Sequence, residues 1–299
     1  MIKKIVFLVN PISGTVQKQG VVELIKRESV ARQVPFEIYP TNAAGKYEEL
    51  RKKIVSEYVT HIGIVGGDGT VNQVVNALRD LPIKFGIIPM GSGNGLALAA
   101  GIPKNISLAL QLILEGKSRT VDAFFINDQF SCMLSGLGFD AQVAHDFANK
   151  ASRGLMTYTR QTLINYFTAT CFPFEVATDD FSFKTEAFFI SIANSNQFGN
   201  SFTIAPQASL SDGLLDIVIV QKMNKAFMPF AVFSQVTGGN KVQKLAEEAL
   251  KKNIIYFQTD SLKISNPNKA PLHIDGEPKQ TTKQFEVKVI KECFKLIQP

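Results

Sequence analysis

Hydrophobic and polar positions follow one rhythm along the first part of the 299-residue chain and another after about residue 121. The first apolar run, Lys4 to Val9, reads as a buried strand, followed by a helical pattern over 16–30. The alternation then repeats. Residues 36–39 read as strand and 46–57 as helix; 62–65 as strand and 70–79 as helix; 85–88 as strand and 93–100 as a short helix. Strands alternating with helices predict a Rossmann-like α/β domain, with a parallel sheet covered on both faces. Ligands of such sheets sit beyond the carboxyl ends of the strands. Three glycine-containing segments, N10-P-I-S-G14, G66-G-D-G-T70 and G91-S-G-N-G95, each follow a predicted strand, so they gather along that edge.

Past Val121 the pattern shortens. Apolar stretches at 120–126, 130–134, 181–193, 214–220, 254–258, 262–265 and 285–294 read as strands. The pairs Asn127-Asp128, Asp212-Gly213 and Asp275-Gly276 mark turns between them. The expectation is an antiparallel β-sandwich with helical insertions near 141–170 and 225–251. Two domains follow: 1–121 for α/β and 122–299 for β, the last residues free to return to the first. The apolar stretch 155–174 reads either as a core helix or as one wall of a lipid cleft.

Charge sharpens this division. Residues 1–121 hold 15 Lys and Arg against 9 Asp and Glu, whereas the remainder holds 17 of each. Phenylalanine is skewed the other way, with 20 of 23 after residue 121. A basic lobe attracts phosphates, whether of nucleotides or of anionic lipids. Nothing interleaves aromatics with its basic residues, so nucleic acid is not expected as a partner. Cys132, Cys171 and Cys293 are too few and too scattered for a disulfide framework or a zinc site, and a cytoplasmic setting is expected. The opening M-I-K-K-I-V-F-L-V-N runs straight into a loop and reads as a strand rather than a signal peptide. No apolar stretch approaches the roughly 20 residues that span a bilayer.

The chemistry gathers at the glycine turns. In G66-G-D-G-T70 the exposed amides and a helix N-terminus suit phosphate oxygens. The acid Asp68 complicates simple anion binding, so a cation or a proton must enter with the phosphate. N10-P-I-S-G14 lacks the Lys-Ser/Thr pair of a Walker loop, and no glycine loop fits a dinucleotide fingerprint. Asp275 and Glu277, in the stretch PLHIDGEP from Pro271 to Pro278, fit a hairpin turn or a pair of catalytic carboxylates. His61, His145 and His273 match no zinc spacing.

The ordered set of motifs resembles the catalytic domain of the diacylglycerol kinase family, which includes sphingosine and ceramide kinases. The carrying residues are N10-P-I-S-G14, Thr41, G66-G-D-G-T-V-N-Q-V-V-N76, PMGSGNGLA from Pro89 to Ala97, G136-L-G-F-D-A141, A193-N-S195, A205-P-Q-A-S-L-S-D-G-L-L-D216 and H273-I-D-G-E277. The resemblance implies a two-domain lipid kinase: ATP in the first lobe, a lipid hydroxyl received by the second, and an active site in the cleft between them. Asn10, Ser13, Gly14, Thr41, Gly66, Gly67, Asp68, Gly69, Thr70, Asn72 and Ser92 would surround ATP. Asp275 and Glu277 would lie across the cleft, one accepting the hydroxyl proton, with Asp68 also catalytic. Bacterial members carry magnesium at the segment matching Ser209, Asp212 and Leu214, the first and last through backbone carbonyls.

The sequence departs from the bacterial pattern twice. Gly95 stands where an aspartate is common in the bacterial diacylglycerol kinases, a small residue there resembling the sphingosine kinase version of the loop, and Gln73 stands where glutamate is usual. Both changes remove negative charge near the nucleotide. The resemblance further implies peripheral attachment to the inner face of the membrane through anionic lipids; a homodimer is left open. An NAD kinase, which shares G66-G-D-G-T70, and a non-catalytic binding regulator of the same fold are the rival expectations.

Overall fold

The computed structural model describes residues 3–11, 18–42, 44–148, 169–197 and 203–299. The chain divides into two compact units, one of residues 1–121 and 292–299, the other of residues 122–291.

The first unit is built on a parallel sheet. Its strands are β1 (Ile5–Val9), β2 (Phe36–Pro40), β3 (His61–Gly66) and β4 (Lys84–Pro89). β1 is flanked by β2 and β3, and β3 pairs with β4. The helices between strands are α1 (Lys18–Ala31), α2 (Glu48–Ser56) and α3 (Asp68–Leu78); α4 (Gly95–Ala99) and α5 (Ile106–Glu115) follow β4. β1 and β3 are buried along their whole length because helices cover both sheet faces, so they read as unbroken apolar runs. α5 is absent from the alternation read above. Its run I106-S-L-A-L-Q-L-I-L-E115 is apolar nearly all round, which masks the helical period, although Asn105 caps it by accepting the Leu108 N–H at 3.1 Å. The chain's last strand ends in this unit, where Lys295 and Leu296 pair in parallel with Lys84 and Phe85.

The strand order β4-β3-β1-β2 reverses direction between β1 and β3. The chain leaves β1 toward one side and β3 toward the other, which opens a crevice at the strands' carboxyl ends. Asn10 and Gly66–Thr70 stand at that switch point.

The second unit is an antiparallel β-sandwich. In sequence it contains β5 (Lys117–Ile126, beginning in the first unit), β6 (Gln129–Ser131), β7 (Leu134–Gly138), α6 (Phe139–Ala148), β8 (Phe172–Ala177), β9 (Ser182–Ala193) and β10 (Leu215–Gln221). These are followed by α7 (Met228–Val236), α8 (Glu247–Leu250), β11 (Ile254–Thr259), β12 (Ser261–Ser265), β13 (Leu272–Ile274), β14 (Glu277–Lys279) and β15 (Gln284–Gln298). Side chains alternate between two cores. Ile190, Ile192, Leu215, Ile217, Ile219, Ile255 and Phe257 join one cluster; Phe189, Ala193, Val218, Val220, Ile254 and Tyr256 join the other, against Met228 of α7. With both faces of β9, β10 and β11 covered, their sequences lose the polar alternation of a half-exposed strand.

Two expectations, one strand and one helix, are corrected. The stretch 130–134 is two strands, β6 and β7, broken at Cys132 and Met133. The stretch 155–174 lies outside the described residues up to 168, and Phe172–Phe174 open β8 instead of continuing a helix.

Candidate active site

In the first unit the loops that leave β1, β2, β3 and β4 are tied to one another. The Asn10 N–H donates to the Val65 carbonyl at 3.0 Å, and the Asn10 side-chain amide donates to Thr70 Oγ1 at 2.7 Å. The Thr41 N–H donates to Val9 O at 3.0 Å, and the Met90 N–H to Gly66 O at 2.9 Å. Asn10, Thr41, Gly66–Thr70 and the Gly91–Asn94 loop thus share the carboxyl edge, as the strand reading predicts.

The glycine turn is tighter than the sequence suggests. Gly66 is the last residue of β3, Gly67 caps α3 in an extended conformation, and Asp68 is already the first helical residue. Asp68 therefore lies in the first turn of α3, where the helix dipole favours a negative charge. The glycines here serve close approach rather than unusual dihedrals. A Cβ on Gly66 would meet the Thr70 side chain at 2.7 Å, and one on Gly91 would meet Gly67 Cα at 2.6 Å. The two phosphate-type loops thus touch through bare backbone. Gly91→Ala is expected to cost roughly 1–3 kcal/mol by overpacking and to weaken nucleotide binding, as a melting curve and ATP calorimetry would show.

Asn94 is a residue the sequence reading passed over. It is buried and left-handed at φ 55°, and it closes the second loop on itself. Its Oδ1 accepts the Gly91 N–H at 2.8 Å, and its Nδ2 donates to Gly91 O at 2.7 Å. The signal was present, since asparagine tolerates the left-handed region better than other non-glycine residues. Ser92 stands exposed at the tip of this loop, and Asn72 is half-buried one turn into α3. Gly95 opens α4 and is buried. Gln73 packs on the loop after β2, where a Cβ on Gly45 would lie 3.3 Å from its side chain. Ser13 and Gly14 lie outside the described residues.

In the second unit Asp275 and Gly276 form the predicted hairpin turn between β13 and β14, with φ of 48° and 79°. The Asp275 carboxylate is buried and points into a cradle formed by the break between β6 and β7. Its Oδ1 accepts from Ser131 Oγ at 2.6 Å, Met133 N at 3.2 Å and Leu134 N at 3.1 Å; its Oδ2 accepts from Cys132 N at 3.2 Å. The strand is interrupted at Cys132 and Met133 because these amides serve a carboxylate instead of a ladder. Glu277, two residues on, is exposed, and its carboxylate lies 3.2 Å from Lys279 Nζ.

His273 lies behind this turn, fully buried. Its Nδ1 accepts the Gly276 N–H at 3.3 Å, which leaves the proton on Nε2, 3.4 Å from Asp140 Oδ2. A Cβ on Gly136 would overlap Asp140 Oδ2 at 1.9 Å, so glycine is required where the pair crosses β7. G136-L-G-F-D140 and H273-I-D-G-E277 are therefore one packed feature.

The loop Ser209–Leu214 is pinned to the buried Asp122. The Gly213 N–H donates to Asp122 Oδ2 at 2.7 Å, and the Asp122 N–H donates to Leu210 O at 2.7 Å. Asp212 is exposed and accepts the Leu214 N–H at 3.0 Å. One exposed carboxylate among carbonyl and hydroxyl oxygens suits a hard cation that keeps much of its water. Among the described residues no cluster of three or more His, Cys, Asp or Glu could hold a metal ion, so any site here depends on backbone oxygens.

Asp216, in β10 just past that loop, is fully buried, and this burial pushes its carboxyl up to about 6 despite hydrogen bonds from Tyr256 and Gln258. The folded protein keeps this proton to higher pH than the unfolded chain, whose carboxyl has its usual value of 3.8. The stability it contributes is full below that value and is lost as pH rises through about 6. Asp216→Asn keeps an acceptor for Tyr256, and Gln258 can turn its amide to match. The variant is expected to lose less melting temperature than the parent between about pH 4 and neutrality.

Comparison with known proteins identifies the two parts of the chain. Residues 4–126 match the model of the diacylglycerol kinase catalytic domain, and residues 134–298 match that of the YegS C-terminal NAD kinase beta sandwich-like domain. The chain belongs to the diacylglycerol kinase catalytic-domain family, with a YegS-type C-terminal domain. Among the relatives of this kinase-like chain, a protein of Shewanella frigidimarina named "Probable lipid kinase YegS-like" is 29% identical over 82% of this chain and 78% of its own. One of the same name from Yersinia pestis is 27% identical over 96% of this chain and 94% of its own. The crystal structure of a diacylglycerol kinase from Bacillus anthracis shares the fold, with a TM-score of 0.74 at 21% identity, covering 99% of this chain and 97% of that one. Among the described residues no helix is long and apolar enough to cross a membrane.

Proposed function

We propose that this member of the lipid kinase family transfers the γ-phosphoryl group of ATP to a hydroxyl of a membrane lipid such as a diacylglycerol or a sphingoid base. The observation that carries the reading is the meeting of Asn10, Gly67, Thr70 and Gly91 at the switch point of the first unit's sheet, around the N-terminus of α3. Backbone amides and a positive helix end there offer donors to phosphate oxygens without a Walker lysine.

Phosphoryl transfer asks for alignment, charge neutralisation and an acceptor for the hydroxyl proton. Asn10, Ser13, Gly14, Thr41, Gly66, Gly67, Gly69, Thr70, Asn72 and Ser92 would hold the nucleotide. Asp68 would orient the cation that enters with the phosphates. Asp275 or Glu277 would receive the proton. Magnesium, when bound, neutralises phosphate charge; Asp212 with the carbonyls of Ser209 and Leu214 would hold a further ion near the Asp122 anchor. The experiment is transfer of label from γ-labelled ATP to a panel of lipids in mixed micelles with magnesium, with NAD as a control acceptor. Labelled lipid is expected; labelled NADP, or no transfer to any acceptor, overturns the reading.

A further inference from the structure

The outer face of α7 is more apolar than the face it buries. Met228, Ala231, Val232 and Gln235 turn inward against the second core. Gln235 is fixed there, donating to Ile204 O at 2.8 Å and accepting from Asn240 Nδ2 at 2.9 Å. Phe227, Phe230 and Phe233 turn outward and are 62%, 74% and 69% exposed, and they are the exposed phenylalanines among the described residues. A three-residue spacing sets them on one side of the helix, within an arc of about 120°. An ordinary surface helix is arranged the other way round, with the apolar stripe inside.

The segment that carries α7 is positively charged. From Ile217 to Ala246 the sequence holds Lys222, Lys225, Lys241 and Lys244, with no aspartate or glutamate. Lys241 and Lys244 are exposed; Lys222 is shared with Glu186 at 2.6 Å. Aromatics on an exposed helix face, in a segment whose own charges are lysines, match the chemistry of an anionic bilayer surface. A second copy of this chain is a poorer occupant. Self-pairing through a two-fold axis would bring lysines against lysines. Three phenylalanines also cover only a few hundred Å², well short of the roughly 800 Å² per partner of a stable interface.

We infer that Phe227, Phe230 and Phe233 of the α7 segment insert into the headgroup region of anionic membranes and hold the second unit at the lipid surface. The inference rests on the lipid-acceptor reading for its purpose, and its test is separate. The protein has no tryptophan, so Phe230→Trp is a single reporter. With vesicles of phosphatidylglycerol and phosphatidylcholine, and no nucleotide, its emission is expected to move to shorter wavelength and to be quenched by brominated acyl chains. The double variant Phe230→Ser, Phe233→Ser is expected to bind these vesicles about tenfold or more weakly, with unchanged melting and unchanged turnover of a soluble short-chain diacylglycerol. Unchanged emission with vesicles, or a double variant that binds like the parent, overturns the inference. A blue shift that grows with protein concentration in the absence of vesicles gives the face to a second copy and overturns it also. Vesicle binding through α7 without any lipid phosphorylation leaves this inference standing and removes the kinase reading instead.

Discussion

Asp68→Asn is expected to lower lipid phosphorylation by about 10²–10⁴-fold while leaving the first unit folded. The asymmetry follows from where the residue stands. As the first residue of α3, its carboxylate favours the helix dipole, an effect of roughly 0.3–1 kcal/mol. Asparagine fills nearly the same volume, so the melting temperature should fall by no more than about 4 °C. The charge cannot be replaced in the same way. If phosphates enter at the α3 N-terminus, an anion beside them is tolerable only with a cation between, and the amide no longer orients that cation. ATP calorimetry with and without magnesium separates the roles: the parent's affinity should depend on magnesium more steeply than the variant's. Full turnover by the variant would remove Asp68 from the mechanism.

Gly95 and Gln73 bear on the same experiment. Gly95 is buried at the start of α4, and Gln73 packs beside Gly45. Neither supplies a carboxylate, so Asp68 carries more of the negative charge at this edge than it would with the acids common at those two positions. That concentration is why its removal is expected to have one of the largest effects in the molecule.

The first unit was largely legible in the sequence because its signals are local. Each strand ends in a glycine-containing loop, so the carboxyl edge was readable as the ligand edge, whereas the strand order that makes the switch point came only with the sheet. The tight entry into α3 was not legible, since Gly-Gly-Asp-Gly reads as a loop until Gly67 is seen to touch Gly91. In the second unit the Asp275-Gly276 turn was readable as a pair, but the cradle under it was not. Ser131 and Leu134 lie more than a hundred residues earlier, and the stretch they occupy looks like one strand. The exposure of Phe227, Phe230 and Phe233 was equally hidden. An apolar helix flanked by apolar strands is assigned to the core by composition, and only the packing of Met228 and Gln235 and the exposure of the three rings show which face turned inward.

Asp275→Asn is expected to lose activity by a similar factor and, unlike Asp68→Asn, to lose stability. Four donors within 3.2 Å converge on the two carboxylate oxygens. An amide has one acceptor oxygen. If it occupies the Oδ1 position and satisfies Ser131, Met133 and Leu134, its NH₂ group faces the Cys132 N–H, leaving a buried donor against a donor. That conflict costs about 1–3 kcal/mol, and the remaining bonds lose their charge assistance. Activity must therefore be measured per folded molecule. Glu277→Gln provides the contrast, because the exposed Glu277 carries no comparable structural load. An inactive, well-folded Glu277→Gln beside a destabilised Asp275→Asn with normal turnover per folded molecule would make Glu277 the proton acceptor and Asp275 the anchor of its turn. The reverse pattern assigns the proton to Asp275. Ser131→Ala then tests the cradle itself: an anchoring Asp275 lowers the melting temperature alone, whereas a reacting Asp275 carries the loss of its donor into turnover as well.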